Sequence, residues 1–128
     1  MMTMNEICKV VIIDDDYTAI EDLKKGLAVY SDMLIKGTAV NGAKGRKMIM
    51  EQRPDLLFLD IELPDMLGIR LLSDMREEVV WDMKVVFYTA YDKYLLQALR
   101  ESAFDYLLKP FTTEELDGII ERYRKAMV

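Results

Sequence analysis

Short apolar runs alternate along the chain with longer polar segments that contain regularly spaced apolar residues. Residues 9–13 (KVVII) form the first run, and four more follow at 33–40, 56–59, 83–88 and 105–109. Runs of this length, rich in Val, Ile, Leu and Phe and bounded by turn residues, predict β-strands. Short, continuous apolar runs of this kind are expected in a parallel sheet that is covered on both faces.

The segments between the runs carry apolar residues at helical spacing. The first helix is expected to begin after Asp16, an N-cap residue, and the last with the capping box Thr112-x-x-Glu115. Asp92 is placed to cap the fourth helix, DKYLLQALRESA. Five strands in alternation with five helices predict a parallel sheet with helices on both faces.

This alternation predicts an α/β fold, a single doubly wound flavodoxin-like (βα)5 domain. Connections of this length form right-handed crossovers, and the expected strand order is 2-1-3-4-5. In such sheets the functional crevice lies at the carboxyl ends of the strands. The residues that directly follow each strand are therefore the first candidates for function.

Composition is typical of a soluble globular protein. The chain has 128 residues, of which 52% are hydrophobic and 31% charged, and this length predicts one domain. Asp and Glu (23) outnumber Lys and Arg (17), and without a basic cluster we expect no direct nucleic acid binding. The apolar runs are too short to span a bilayer, and no secretory signal is recognisable, so the expected location is the cytoplasm.

The residue types that are missing narrow the chemistry further. The chain has no histidine, which excludes a Ser-His-Asp triad, a Cys-His pair and a histidine-ligated metal within it. Its single cysteine, Cys8, begins an apolar run and reads as a buried thiol in a reducing compartment. Any reaction must therefore use carboxylates, hydroxyls, lysine and a hard metal ion.

Polar residues stand at the ends of four predicted strands. The first strand ends in Asp14, Asp15 and Asp16, and the others end in Asp60, Thr89 and Lys109. Asp60 is the most unusual, because it interrupts the apolar run LLFLDI, where an unpaired buried carboxylate costs several kcal/mol. Each residue alone has a structural explanation as a cap, strand end or loop residue. Polar residues at the ends of four strands together are a more specific sign of a functional site.

This combination suits phosphoryl transfer. Clustered carboxylates favour a hard cation such as Mg²⁺, held by Asp14, Asp15 and Asp60. Asp60 is then placed to attack phosphorus and form an acyl phosphate. The Thr89 hydroxyl can hydrogen-bond the phosphoryl group, and Lys109 supplies a compact positive charge.

Four segments resemble the receiver domain of two-component response regulators: VVIIDDD, LLFLDIELPDMLG, VVFYTA and YLLKPF. The resemblance covers roughly residues 7–127, and we expect residues 1–128 to form one receiver domain. TAYDKYLLQALRESAFDYLLKPF is most similar to receivers of LytTR-type regulators, which carry a DNA-binding domain.

The resemblance implies a role for each site residue. Asp60 would be the phosphoacceptor and Asp15 a direct Mg²⁺ ligand, with Asp14 acting mainly through water. The backbone carbonyl of Glu62 would complete the metal ligands, and the peptide bond between Lys109 and Pro110 would be cis.

Tyr106 corresponds to the switch aromatic of the family, which moves inward when Thr89 turns toward the phosphate. A half-buried packing role is the alternative for Tyr106. Glu62 and Tyr91 fall at positions that tune dephosphorylation in the family, and the direction of their effect stays open.

The resulting hypothesis is a phosphorylation switch rather than an enzyme. A sensor histidine kinase or a small acyl phosphate would phosphorylate Asp60 and alter the face formed by the fourth helix, fifth strand and fifth helix. That face would contact a homodimer partner or an output domain through some of Tyr94, Arg100, Tyr106, Glu121 and Arg124.

Three alternatives stay open at the level of the sequence. The chain would act as a stand-alone receiver through protein contacts, or as a Mg²⁺-dependent aspartyl-phosphate hydrolase with Glu62 as general acid. The hydrolase is disfavoured because no cap domain or second acidic cluster is recognisable. A flavodoxin-like cofactor carrier or a degenerate receiver is the third, but no Thr/Ser/Gly-rich phosphate loop follows the first strand.

Overall fold

Strands and helices alternate strictly along the chain in the computed structural model, which describes residues 6–127. In chain order the elements are β1 (Cys8–Ile13), α1 (Tyr17–Leu27), β2 (Met33–Ala39), α2 (Gly42–Gln52), β3 (Leu56–Leu59), α3 (Gly68–Asp74), β4 (Lys84–Thr89), α4 (Leu95–Arg100), β5 (Asp105–Leu108) and α5 (Thr113–Ala126).

All five strands pair in parallel in the order β2-β1-β3-β4-β5, which confirms the predicted doubly wound architecture. At the carboxyl ends of the central strands, Leu59 of β3 pairs with Ile13 of β1 on one side and Phe87 of β4 on the other. The residues that follow these strands therefore lie side by side along one edge of the sheet.

Two hydrophobic cores lie on opposite faces of the sheet, because successive strand residues point to opposite sides. Val10 and Ile12 pack under α1 and α5, whereas Val11 and Ile13 pack under α2, α3 and α4. All four side chains are fully buried. This explains why the first apolar run is continuous rather than alternating.

Helix starts agree with the sequence prediction at two sites and differ at a third. The Asp16 carboxylate accepts the Thr18 N–H at 2.9 Å, and the capping box at the start of α5 is present. The cap predicted at Asp92 is wrong, because α4 begins only at Leu95 and has no side-chain cap. A turn brings the Asp92 backbone carbonyl, rather than its carboxylate, to the Leu95 N–H at 3.1 Å.

Two backbone features shape the loops around the carboxyl edge. Gly68 lies directly against the Asp60 backbone, where an added Cβ would stand 2.1 Å from the Asp60 carbonyl oxygen. Only glycine fits there, so the loop after β3 folds back onto Asp60. The peptide bond from Lys109 to Pro110 is cis, as predicted. Within residues 6–127 no helix combines the length and apolar character needed to cross a membrane.

Candidate functional site

Three aspartates meet at the carboxyl edge of the sheet. Asp14 follows β1 and donates its N–H to the Ala39 carbonyl, while Asp60 follows β3 and donates its N–H to the Ile13 carbonyl, both at 2.9 Å. Carboxylate oxygens of Asp14, Asp15 and Asp60 all lie within 4.8 Å of one another. Asp14 is fully buried and Asp60 is 6% exposed, whereas Asp15 faces solvent.

Lys109 enters this cluster from the end of β5. Its Nζ lies 2.6 Å from Asp14 Oδ2 and 3.3 Å from Asp60 Oδ2. The Lys109 N–H donates to the Thr89 carbonyl at 2.8 Å, so backbone pairing continues past the strand and aims the side chain at the aspartates. Three carboxylates and one ammonium leave the site with excess negative charge.

Burial and neighbouring charges shift the titration of two of these groups. Burial raises the pKa of Asp14 to about 6, and Asp60 adds to the rise, while Lys109 and the Asp16 N–H oppose it. Burial alone would lower the pKa of Lys109, but the contacts with Asp14 and Asp60 outweigh burial and raise that pKa overall. Lys109 therefore stays protonated, and its charge is what stabilises the paired aspartates.

The donor set fits a hard divalent cation. Asp14 Oδ2 is buried, and the Lys109 ammonium lies 2.6 Å from it. Asp60 Oδ1 accepts the Ile61 N–H at 2.8 Å, which orients this carboxylate. Three carboxylates whose oxygens lie within 4.8 Å of one another match the oxygen-ligand chemistry of Mg²⁺.

Thr89 and Tyr106 contact the same residue in the loop after β4. Thr89 is fully buried at the end of its strand, and its Oγ accepts the Tyr91 N–H at 3.4 Å. The Tyr106 hydroxyl donates to the Tyr91 carbonyl. The two predicted switch residues thus meet through the backbone of Tyr91, although they lie on different strands.

Two hydrogen-bonded contacts near the site were not predicted from the sequence. The Tyr94 hydroxyl donates to Glu62 Oε2 at 2.7 Å, across 32 positions of sequence. The Asp65 carboxylate accepts the N–H groups of Gly42 and Ala43 and so tethers the loop after β3 to α2. Because both contacts join distant segments, no local pattern signals them.

Arg124 was among the candidates for a partner surface, and in the structure its side chain already has a partner within the chain. Its guanidinium forms two hydrogen bonds with the Asp32 carboxylate, at 2.6 and 3.0 Å. It also lies 5.4 Å from the centre of the Tyr30 ring. Arg124 therefore joins α5 to the turn before β2.

The comparison with protein families matches residues 10–121 to the response regulator receiver domain. The chain is 45% identical over 112 residues to an uncharacterized response regulatory protein of Vibrio cholerae, covering 88% of this chain and 46% of that protein. It is 38% identical over 117 residues to the transcriptional regulatory protein BtsR of Escherichia coli, covering 91% and 48%. The chain thus spans about half the length of these relatives.

A solved structure agrees with the sequence comparisons. The response regulatory domain of mrkE from Klebsiella pneumoniae superimposes with a TM-score of 0.84 at 28% identity, covering 92% of this chain and 96% of that domain. Fold, strand order and the matched sequence span all point the same way. The chain belongs to the response regulator receiver domain family.

Proposed function

We propose that this receiver domain is a phosphorylation switch with Asp60 as its phosphoacceptor. The observation that carries the proposal is the cluster of Asp14, Asp15 and Asp60 with Lys109 paired to two of its members. Such a constellation is poorly explained by stability alone, since it buries more negative than positive charge. The proposed domain takes in the whole chain, with a core over about residues 7–127.

The chemistry assigned to Asp60 is an in-line displacement. One carboxylate oxygen forms a bond to phosphorus while the donor's P–O bond, in an acyl phosphate, or P–N bond, in a kinase phosphohistidine, breaks. The leaving group takes the bonding electron pair. Lys109, which lies 3.3 Å from Asp60 Oδ2, balances negative charge on the phosphoryl oxygens.

The proposed metal is Mg²⁺, held by the side chains of Asp14, Asp15 and Asp60 and by the backbone carbonyl of Glu62. Bound there, Mg²⁺ would neutralise the carboxylates and supply positive charge that stabilises the transferring phosphoryl group. Asp15 is the exposed member and suits a direct ligand, whereas Asp14 is already engaged by Lys109 and suits contact through water.

Switching is assigned to Thr89 and Tyr106. A Thr89 hydroxyl that turns toward the phosphoryl group leaves the Tyr91 N–H, and Tyr106 leaves the Tyr91 carbonyl as it moves inward. Both changes release the loop that leads into α4. The present contacts support this proposal, because Thr89 and Tyr106 both hydrogen-bond the backbone of the same residue, Tyr91.

The proposed upstream partner is a sensor histidine kinase, and the proposed output is transcription through a LytTR-type DNA-binding domain. A relative named as a transcriptional regulatory protein, about twice as long as this chain, supports the output. Direct nucleic acid binding by this segment is not proposed, since its formal net charge is −6. The cytoplasmic location expected from the sequence stays a prediction.

The proposed dimer face is the surface of α4, β5 and α5. Three leucines of α4 and one of β5 are exposed there, and a second copy of the chain would cover them. We expect phosphorylation to increase the dimer fraction measured by light scattering. Leu96→Glu should abolish this increase. Val29→Glu, in the turn after α1 and outside the α4, β5 and α5 surface, should leave it intact; Val29 is 76% exposed and Leu96 58%. A monomer under both conditions would remove the dimer from the proposal. The four leucines are Leu95, Leu96, Leu99 and Leu108.

Acetyl phosphate and Mg²⁺ provide the central test. Intact mass should rise by one phosphoryl group in the native chain, and the adduct should be absent from Asp60→Asn. Asp74→Asn removes an exposed carboxylate from α3 and should leave phosphorylation unchanged. Chelation of Mg²⁺ should prevent the adduct. An adduct that persists in Asp60→Asn would refute the proposed phosphoacceptor.

A further inference from the structure

Glu62 is held by two side chains from the loop that precedes α4. The Tyr94 hydroxyl donates to Glu62 Oε2 at 2.7 Å, and Lys93 Nζ lies 3.6 Å from the same oxygen. Glu62 follows the proposed phosphoacceptor by two residues, so this contact ties the loop after β3 to the loop after β4.

Aromatic contacts orient the partners of Glu62. Lys93 Nζ lies 5.1 Å from the ring centre of Tyr91 and 5.2 Å from that of Tyr94. The two rings meet edge to face, with centres 6.5 Å apart. An ammonium held over two aromatic faces loses little mobility when it also pairs with a carboxylate. The Glu62 carboxylate therefore has a defined position and a paired charge.

The position of the Glu62 carboxylate affects phosphorylation because the adjacent crevice is already negatively charged. Asp14, Asp15 and Asp60 outnumber the single ammonium of Lys109, and a phosphodonor brings further negative charge. A Glu62 side chain free to turn toward the crevice would repel such a donor. Tyr94 and Lys93 oppose this turn, because their contacts hold the carboxylate toward the start of α4.

We propose that Tyr94 is a positioning residue for phosphorylation of Asp60, acting by holding the Glu62 carboxylate away from the incoming anionic donor. This inference rests on the proposed function. It means that Tyr94 raises the rate of Asp60 phosphorylation although it contacts neither the metal nor the phosphoryl group. It also gives a direction to the effect of Glu62, which slows phosphorylation when it is released.

The test is the initial rate of phosphorylation by acetyl phosphate with Mg²⁺, followed by intact mass. Tyr94→Phe removes only the hydroxyl, and the rate should fall about two- to fivefold, the range of an exposed charge contact. Glu62→Gln should suppress this loss in the double variant, because an uncharged side chain does not repel the donor. The gap between Tyr94→Phe and the native chain should close as salt is raised.

Tyr30→Phe is the matched control, since the Tyr30 hydroxyl also donates to a carboxylate, that of Asp117, at 2.9 Å and far from the site. Its rate should equal that of the native chain. An unchanged rate in Tyr94→Phe, or an equal loss in the Glu62→Gln background or at high salt, would overturn the positioning role. Those outcomes leave Asp60 phosphorylation in place, whereas failure of the native chain to form the adduct would refute the proposed function itself.

Discussion

The helices α4 and α5 flank β5 on opposite faces of the sheet, and they are held in very different ways. Helix α5 has 14 residues, a capping box and four buried apolar side chains. Helix α4 has six residues, no side-chain cap and one buried residue, Ala98. Three leucines of α4 are 46–62% exposed. They are Leu95, Leu96 and Leu99.

This difference separates stability from signalling. The buried stripe of α5 contributes to the core, so moving α5 would expose apolar surface at a high free-energy cost. Moving α4 exposes little that is now buried, and its leucines gain by being covered. Strand β5, between the two helices, carries Tyr106 and leads to Lys109. A structural change at the site is therefore expected to displace α4 more readily than α5.

Two side-chain truncations, one in each helix, test this difference most strongly. Ile120→Ala in α5 should lower the free energy of unfolding by about 3 kcal/mol, because a fully buried side chain leaves a cavity. Leu99→Ala in α4 should change it by less than about 0.5 kcal/mol, because Leu99 is 62% exposed. Urea denaturation measures both, and similar losses would show that α4 is part of the core.

Hydrogen exchange tests the same difference without substitution. Backbone amides in α4 should exchange about 100-fold faster than those in the middle of α5, because a short, poorly packed helix opens locally. Peptide-resolved exchange of the unphosphorylated chain provides the measurement. Equal protection in the two helices would contradict a compliant α4.

The helix starts give a smaller effect. Thr112→Ala should lower the free energy of unfolding by about 1 kcal/mol, because the Glu115 N–H loses its acceptor at 3.1 Å. Thr112→Ser retains the hydroxyl and should recover most of this loss. Asp92→Ala should have no comparable effect, since Asp92 caps α4 only through its backbone carbonyl. If Asp92→Ala lowered the free energy of unfolding as much as Thr112→Ala does, the Asp92 side chain would cap α4 after all.

The smallest effect concerns the ion pair between α5 and the turn before β2. Hydrogen bonds from Arg124 hold the pKa of Asp32 below its ordinary value. The resulting stability is present above the unfolded pKa of about 4 and is lost as pH falls through the lower folded pKa. Solvent screens the pair, so Asp32→Asn should cost about 0.5 kcal/mol at pH 7. Thermal unfolding should show no difference between the variant and the native chain near pH 2.

Much of the fold and the location of the site follow from the sequence for identifiable reasons. Continuous apolar runs predicted a parallel sheet, and the strand-end rule brought Asp60 and Lys109 together from residues 49 positions apart. Their chemical roles stay predictions. Asp60 was recognisable because a carboxylate in an apolar run needs a partner, and the structure supplies one in Lys109.

Other features depend on tertiary contacts that leave no local pattern. Among three consecutive aspartates, only the backbone path decides that Asp14 is buried while Asp15 and Asp16 are exposed. The contact between Tyr94 and Glu62 depends on two loops whose conformations the sequence does not specify. Helix α4 was predicted too long, because its leucines match helical spacing although half of the segment forms turns.

Trp81 lies at the opposite end of the sheet from the aspartates. Its indole N–H donates to the Pro54 carbonyl at 2.8 Å, and the Arg53 guanidinium lies 4.6 Å from its ring centre. Strand β3 separates Pro54 from Asp60 and alone spans about 13 Å. Since Trp81 is the single tryptophan of the chain, its fluorescence is an optical signal for unfolding that originates at the amino-terminal edge, away from any ion or phosphoryl group at the other edge.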